Sequence, residues 1–211
     1  MNVRVIVDRY TIHYYTHIQE TSLGTSLDFL ARHYPDIHLN VLHGSEQNPS
    51  LEPLIKEAAD ILILPSTVLG EHYVEHHHWS DHYVLVTAKG KHTQTRTFTE
   101  LSQTSRYVAW RHPGVDRLHQ QLASAQVRLS HRGELSCLET LLDLIARQHC
   151  ISILPSALLN GHLREVEQVP LPGTIMRHIS VVARPTSLLS NAASAVIQAL
   201  KKPRVLAVQR Y

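Results

Sequence analysis

Hydrophobic positions along the chain switch repeatedly between a spacing of three or four residues and a spacing of two, the signature of alternating helices and strands. The clearest stretch is Glu134 to Pro155, ELSCLETLLDLIARQHCISILP. Leu138, Leu141, Leu142 and Ile145 make one apolar helical face, and Glu139, Thr140, Asp143 and Arg147 cover the other. Ser136 followed by Glu139 reads as a capping box that starts this helix. Ile151, Ile153 and Leu154 then form a short apolar run closed by Pro155, the pattern of a buried parallel strand. A helix start of this kind offers unpaired N–H groups and a partial positive charge to a polar ligand group. Ser136 as a plain cap accounts for the same residues, since serine is a preferred N-cap anywhere.

The other elements follow in order. Val3–Val7 reads as the first strand and Asp8–Thr11 as the loop after it. A helix then runs to about Tyr34, with Leu23, Leu27, Leu30 and Ala31 on one face and Pro35 beyond its end. Ile37–Leu42 alternates as a half-exposed strand, His43–Pro49 is a polar loop, and Leu51, Leu54, Ile55 and Ala58 mark a helix. Ile61–Leu64 is a fully apolar strand stopped by Pro65. Tyr83–Val86 is a further strand, and the polar stretch from Val86 to Thr97 is the passage into a second lobe. There Tyr107–Trp110 is a strand, Val115, Leu118 and Leu122 a helix opened by Pro113-Gly114, and Val127–Leu129 a strand feeding Glu134–Pro155. Ile175–Ala183 is the last strand and Asn191–Lys201 the last helix. Two β-α-β-α-β lobes make parallel sheets covered by helices, which bind ligands in the loops at the carboxyl ends of their strands.

Composition narrows the function classes. With 43% hydrophobic and 18% charged residues, the 211-residue chain has the make-up of a globular protein able to bury a sizeable core. A formal charge of +2 is too small to make non-specific nucleic-acid binding the expectation. Cys137 and Cys150 form no zinc motif and read as reduced thiols. The amino-terminal MNVRVIVDRYTIHYY has no basic region followed by an uninterrupted apolar run, so no secretory signal is read, and no apolar run approaches a membrane span.

In order along the chain, Ala31–Leu39 (ARHYPDIHL), Leu54–Ile63 (LIKEAADILI), Ser80–Val86 (SDHYVLV), Leu141–Ala146 leading to Ile151–Pro155, and Ile179–Arg184 followed by Asn191-Ala192-Ala193 form a set. Together they resemble the effector-binding domain of LysR-type transcriptional regulators. The resemblance covers essentially the whole chain. It implies an α/β, type 2 periplasmic-binding-protein-like fold of two Rossmann-like lobes joined by two crossover strands, near Asp81–Thr87 and Met176–Ala183. The first lobe would be about 1–84 and 180–211 and the second about 85–179. Gln148 and Cys150 stand where the family usually places glycines, and the family's histidine-proline pair is missing around Lys91-His92.

The family's effector lies in the cleft between its lobes, and the residues expected on that rim here are polar. Thr11, in the loop after strand one, matches the family's first-lobe polar position. Ser45 and Asn48 follow strand two, Ser66 and Thr67 follow strand three, Trp110 and Arg111 follow the second lobe's first strand, and Ser136 caps its helix. Hydroxyls, amides and one guanidinium suit a small polar effector such as a carboxylate; each residue alone is also an ordinary turn or cap residue. Seventeen histidines, with His76, His77 and His78 in a row, invite a metal reading. Consecutive positions on a strand alternate faces, so at most His76 and His78 would share an ion, and no metal is assigned. Cys137, near a helix start, lacks a positioned base and reads as packing or cleft lining; no catalytic residue and no cofactor are assigned.

The expected function is the sensing and oligomerisation half of a cytoplasmic transcriptional regulator, binding a small molecule and forming a homodimer or tetramer. The family's dimers pair the strand-two and first-helix side of one lobe with the second lobe of a partner. With strand one read at Val3, no helix-turn-helix precedes it, so DNA would be met only through that missing segment of a longer regulator. The alternative is a stand-alone or periplasmic solute-binding protein of a transport system, which the missing signal peptide disfavours.

Overall fold

A computed structural model describes residues 9–14, 20–44, 49–66, 73–90, 97–159 and 161–201. These group into two compact units. The first holds the residues up to Gly44, Pro49–Trp79 and those from Ile179 onward; the second holds Ser80–His178. Two strands, β4 (Val74–Ala88) and β9 (Met176–Ala183), contribute residues to both.

In the first unit, β1 (Arg9–Tyr14) lies between β2 (His38–His43) and β3 (Ile61–Pro65), parallel to both. β9 adds antiparallel to β3, with Pro65 opposite Ile179 and Ile61 opposite Ala183. The stretch Arg9–Tyr14, read above as loop and helix start, is thus a central strand. Its period-two alternation decides this: Tyr10 and Ile12 are buried, and the ladder is satisfied on both sides. Val3–Val7 lies outside the described residues. Alternate residues of β3 feed opposite cores. Ile61 and Ile63 pack with Leu30 of helix α1 (Glu20–His33) and Val196, Ile197 and Leu200 of helix α6 (Asn191–Lys201). Leu62 and Leu64 pack with Leu54 of the short helix α2 (Glu52–Ile55). β2 is an edge strand with no fully buried residue, which fits its alternating sequence.

In the second unit, β5 (Arg106–Trp110) runs parallel to β6 (Ser130–Leu135) and meets β7 (Ser152–Pro155) through a Tyr107–Ile151 bridge. β4 is antiparallel to β7 on one side and to β8 (Val166–Pro170) on the other. One core face joins Leu85, Tyr107 and Ile153 to Leu101 of helix α3 (Phe98–Thr104) and to Val115, Leu118 and Leu122 of helix α4 (Val115–Ser124). The other joins Val84, Val86, Trp110 and Leu154 to Leu138, Leu141, Leu142 and Ile145 of helix α5 (Leu138–Ala146). Burying each such leucine or isoleucine contributes about 1.5–3 kcal/mol.

Three sequence expectations change here. Val127–Leu129 is not a strand: the Val127 N–H closes the end of α4 on the Leu122 carbonyl, with Gln126 at φ 57°, so the ladder starts at Ser130. α3 and β8 went unread; α3 is opened by Thr97, whose hydroxyl accepts the Glu100 N–H. Ser136 and Glu139 do not form a capping box. Cys137 is the N-cap of α5, with extended backbone at φ −79°, ψ 110°, and Ser136 lies in the bend between β6 and that cap.

Candidate functional site

Parallel strands align their carboxyl ends, and each unit has one such edge. In the first unit the edge is formed by Tyr14, His43 and Pro65, and the Tyr14 and His43 rings stack with centroids 4.6 Å apart. Ser66 emerges directly after Pro65. The antiparallel register brings the Ser180 end of β9 alongside, and the two hydroxyl oxygens lie 2.6 Å apart. Ser180, fully buried, donates to Glu75 Oε1 at 3.1 Å, and His78 Nδ1 lies 3.4 Å from that same oxygen. Ser66 therefore belongs to a chain of polar groups reaching into the unit. Nothing in the sequence marked Ser180 or Glu75, because only the antiparallel pairing of distant strands brings them there.

Thr11 sits elsewhere. It occupies the middle of β1 opposite Asn40, and its backbone N–H donates to Asp60 Oδ2 at 2.8 Å while its carbonyl accepts the Asp60 N–H at 2.9 Å. Asp60 precedes β3 and Ser66 follows it, which puts Thr11 roughly 20 Å of extended chain from Ser66, toward the opposite edge. The expected loop position after strand one is corrected accordingly. Ser45, Asn48 and Thr67 lie outside the described residues.

In the second unit the carboxyl ends of β5, β6 and β7 bring Trp110, Arg111, Ser136 and Ser156 to one edge. The Trp110 indole, 1% exposed, donates to the Ser136 carbonyl at 3.2 Å, and the Arg111 N–H donates to the Leu135 carbonyl at 2.8 Å. Trp110 is thus a support that fixes the backbone before α5 and presents no face to solvent. Arg111 and Ser136 are exposed. Behind them lies a group the sequence did not disclose. The His112 ring stacks on the Trp110 indole at 4.4 Å and 8°, its Nδ1 donates to the Trp110 carbonyl at 2.9 Å, and its Nε2 meets the Tyr83 hydroxyl at 2.8 Å. Burial pushes the Tyr83 phenol up to about 12. His82 Nδ1 and the Ser156 hydroxyl, 3.3 Å apart, add polar atoms at the same edge. Cys137 is exposed, and the nearby Thr140 hydroxyl and N–H hold its thiol below the ordinary cysteine range.

A polar cavity of about 330 Å³ opens at the opposite end of this unit, lined by Arg106, Gln148, His149 and Cys150 among others. It lies at the amino ends of β5 and β7, away from the candidate residues. The histidine run is spent on strand contacts: His76 Nε2 meets the Arg184 carbonyl at 2.7 Å, and the His77 ring packs edge-on against Trp79. Among the described residues, no group of three or more His, Cys, Asp and Glu is placed to hold a metal.

The model of the LysR substrate binding domain matches residues 9–203. The chain belongs to this LysR family. Its LysR fold is shared by HinK, a LysR family transcriptional regulator from Pseudomonas aeruginosa, at 11% identity and TM-score 0.75, over 93% of this chain and 69% of HinK. It is also similar to the effector binding domain of QuiR in complex with shikimate, at 14% identity and TM-score 0.69, over 91% and 94% of the two chains. The regulatory domain of CcmR from Synechocystis in complex with 2-PG matches at 16% identity and TM-score 0.71, over 92% and 95%. No curated protein matches the LysR chain in sequence. Among the described residues, no helix of this LysR domain is long and apolar enough to cross a membrane.

Proposed function

We propose that this LysR substrate-binding domain is the ligand-sensing part of a cytoplasmic transcriptional regulator, not an enzyme, and that its strand-end edges take a small polar effector. The observation that carries the reading is the collection of polar groups at those edges within a LysR domain: Ser66 backed by Ser180 and Glu75 in one unit, Arg111 and Ser136 held by Trp110 in the other. Exposed hydroxyls and one guanidinium on a buried, hydrogen-bonded base suit a ligand that is read by its polar groups and oriented before contact. Shikimate and 2-PG, the compounds named with two similar domains, are among the first to try. On this reading DNA is met through a helix-turn-helix outside this sequence, and the domain assembles as a homodimer or tetramer.

The test is a thermal-shift screen over small carboxylates, amino acids and aromatic acids, including those two compounds. Each hit is then measured by calorimetry against Arg111→Ala and Ser66→Ala. A hit weakened at least tenfold by either change supports the reading. Binding at full strength in both variants places the effector elsewhere on the domain.

A further inference from the structure

We infer that Ser66 presents only accepting lone pairs to whatever occupies the edge of the first unit, so that it selects a hydrogen-bond donor of the effector, an ammonium or hydroxyl, and rejects a carboxylate there. This rests on the reading that the edge binds the effector.

The polarity follows from counting protons along the chain. The Glu75 carboxylate only accepts. The Ser180 hydroxyl donates to it at 3.1 Å, which spends the single proton on that oxygen. The 2.6 Å contact between Ser180 and Ser66 must then carry the Ser66 proton toward Ser180. The reverse assignment would give up a charge-assisted bond, roughly twice as strong as a neutral one, and face the lone pairs of Ser180 onto the carboxylate. Ser180 is fully buried, so no water replaces the partner it would lose. Ser66 is part-exposed, and no other described residue bonds its hydroxyl. Its remaining capacity is two acceptor sites, backed along the chain by the negative charge of Glu75. A carboxylate brought to Ser66 would meet lone pairs with lone pairs; an ammonium would meet both an acceptor and the charge behind it.

The test uses methylammonium and acetate as small probes of opposite charge and opposite hydrogen-bonding demand, titrated separately into the whole protein at constant ionic strength while amide NMR shifts are followed. Methylammonium is expected to shift the Ser66 and Ser180 signals saturably, and acetate is not. Ser66→Ala should weaken the methylammonium response about tenfold. Ser180→Ala, which frees the Ser66 proton, should let acetate shift the Ser66 signal. Acetate acting at Ser66 of the unaltered chain as strongly as methylammonium, or neither ion acting, overturns the inference. The two readings fail separately. An effector weakened by Ser66→Ala that meets Ser66 through its carboxylate overturns the donor assignment alone. An effector untouched by Ser66→Ala removes the edge from the effector site, while the titration still decides the polarity of Ser66.

Discussion

The Tyr83 hydroxyl donates to Nε2 of His112 across 2.8 Å, and both residues are 5% exposed. The donor is fixed by the other ring nitrogen: Nδ1 faces the Trp110 carbonyl, which only accepts, so Nδ1 holds the proton and Nε2 the lone pair. Tyr83→Phe removes this buried hydrogen bond and is expected to cost about 1 kcal/mol in urea unfolding. The phenol also sets an alkaline limit. Burial lifts it from 10.0 to about 12 in the folded chain, so between those values the unfolded state releases a proton that the folded state keeps. Stability is therefore lost as the pH rises past about 10. Tyr83→Phe should flatten this slope, with ultraviolet phenolate absorbance showing one fewer late-titrating tyrosine.

Asp81 and Arg177 form a two-pronged pair, Nε to Oδ1 at 2.9 Å and Nη2 to Oδ2 at 2.7 Å, with side chains only 11% and 7% exposed. Removing one partner strands a buried charge. Arg177→Met alone or Asp81→Leu alone is expected to lose about 3–5 kcal/mol, and the double change much less than their sum. A double-mutant cycle by chemical denaturation reads this coupling; additive losses would show that the pair is solvated.

Ser152 is the odd hydroxyl of the second core. It is fully buried on β7 between Ile151 and Ile153, and its Oγ has no hydrogen-bond partner among the described residues. Ser152→Ala removes a desolvated polar atom at almost no change in shape. It is expected to stabilise the domain by about 1 kcal/mol, a rise in the urea midpoint with an unchanged slope.

Much of this architecture was legible wherever a segment was buried on a pattern its own letters show. The apolar face of α5, the continuous run of β3 and the Pro113-Gly114 start of α4 needed no distant partner to be read. Arg9–Tyr14 was misread because His13, Tyr14 and Tyr15 carry no helix or strand preference strong enough to outweigh a competing first strand at Val3; only the two neighbouring ladders decide it. Gln148 shows a substitution that leaves geometry intact. Standing where a glycine was expected, it takes the left-handed conformation itself, at φ 65°. The candidate edges divide in the same manner. Ser66 and Arg111 were read from the rule that ligand loops follow strands and Ser136 as a helix cap, whereas Glu75, Ser180, His112 and Tyr83 reach the edges through antiparallel pairing or a turn back under the indole. Ser136 was assigned a capping role that passes to Cys137, the residue with extended backbone directly before α5, while the Ser136 carbonyl accepts from the Trp110 indole.

That handover leaves the domain with a ready optical handle. The two sulfurs differ in both access and acidity: Cys137 is exposed with its thiol lowered, while Cys150 is buried with its thiol raised by burial. A maleimide dye at neutral pH is thereby directed to the first turn of α5, one residue from Ser136, without any cysteine being engineered in or out. On the proposed reading of that edge as an effector site, its emission would follow effector binding in real time, turning a helix cap into a readout.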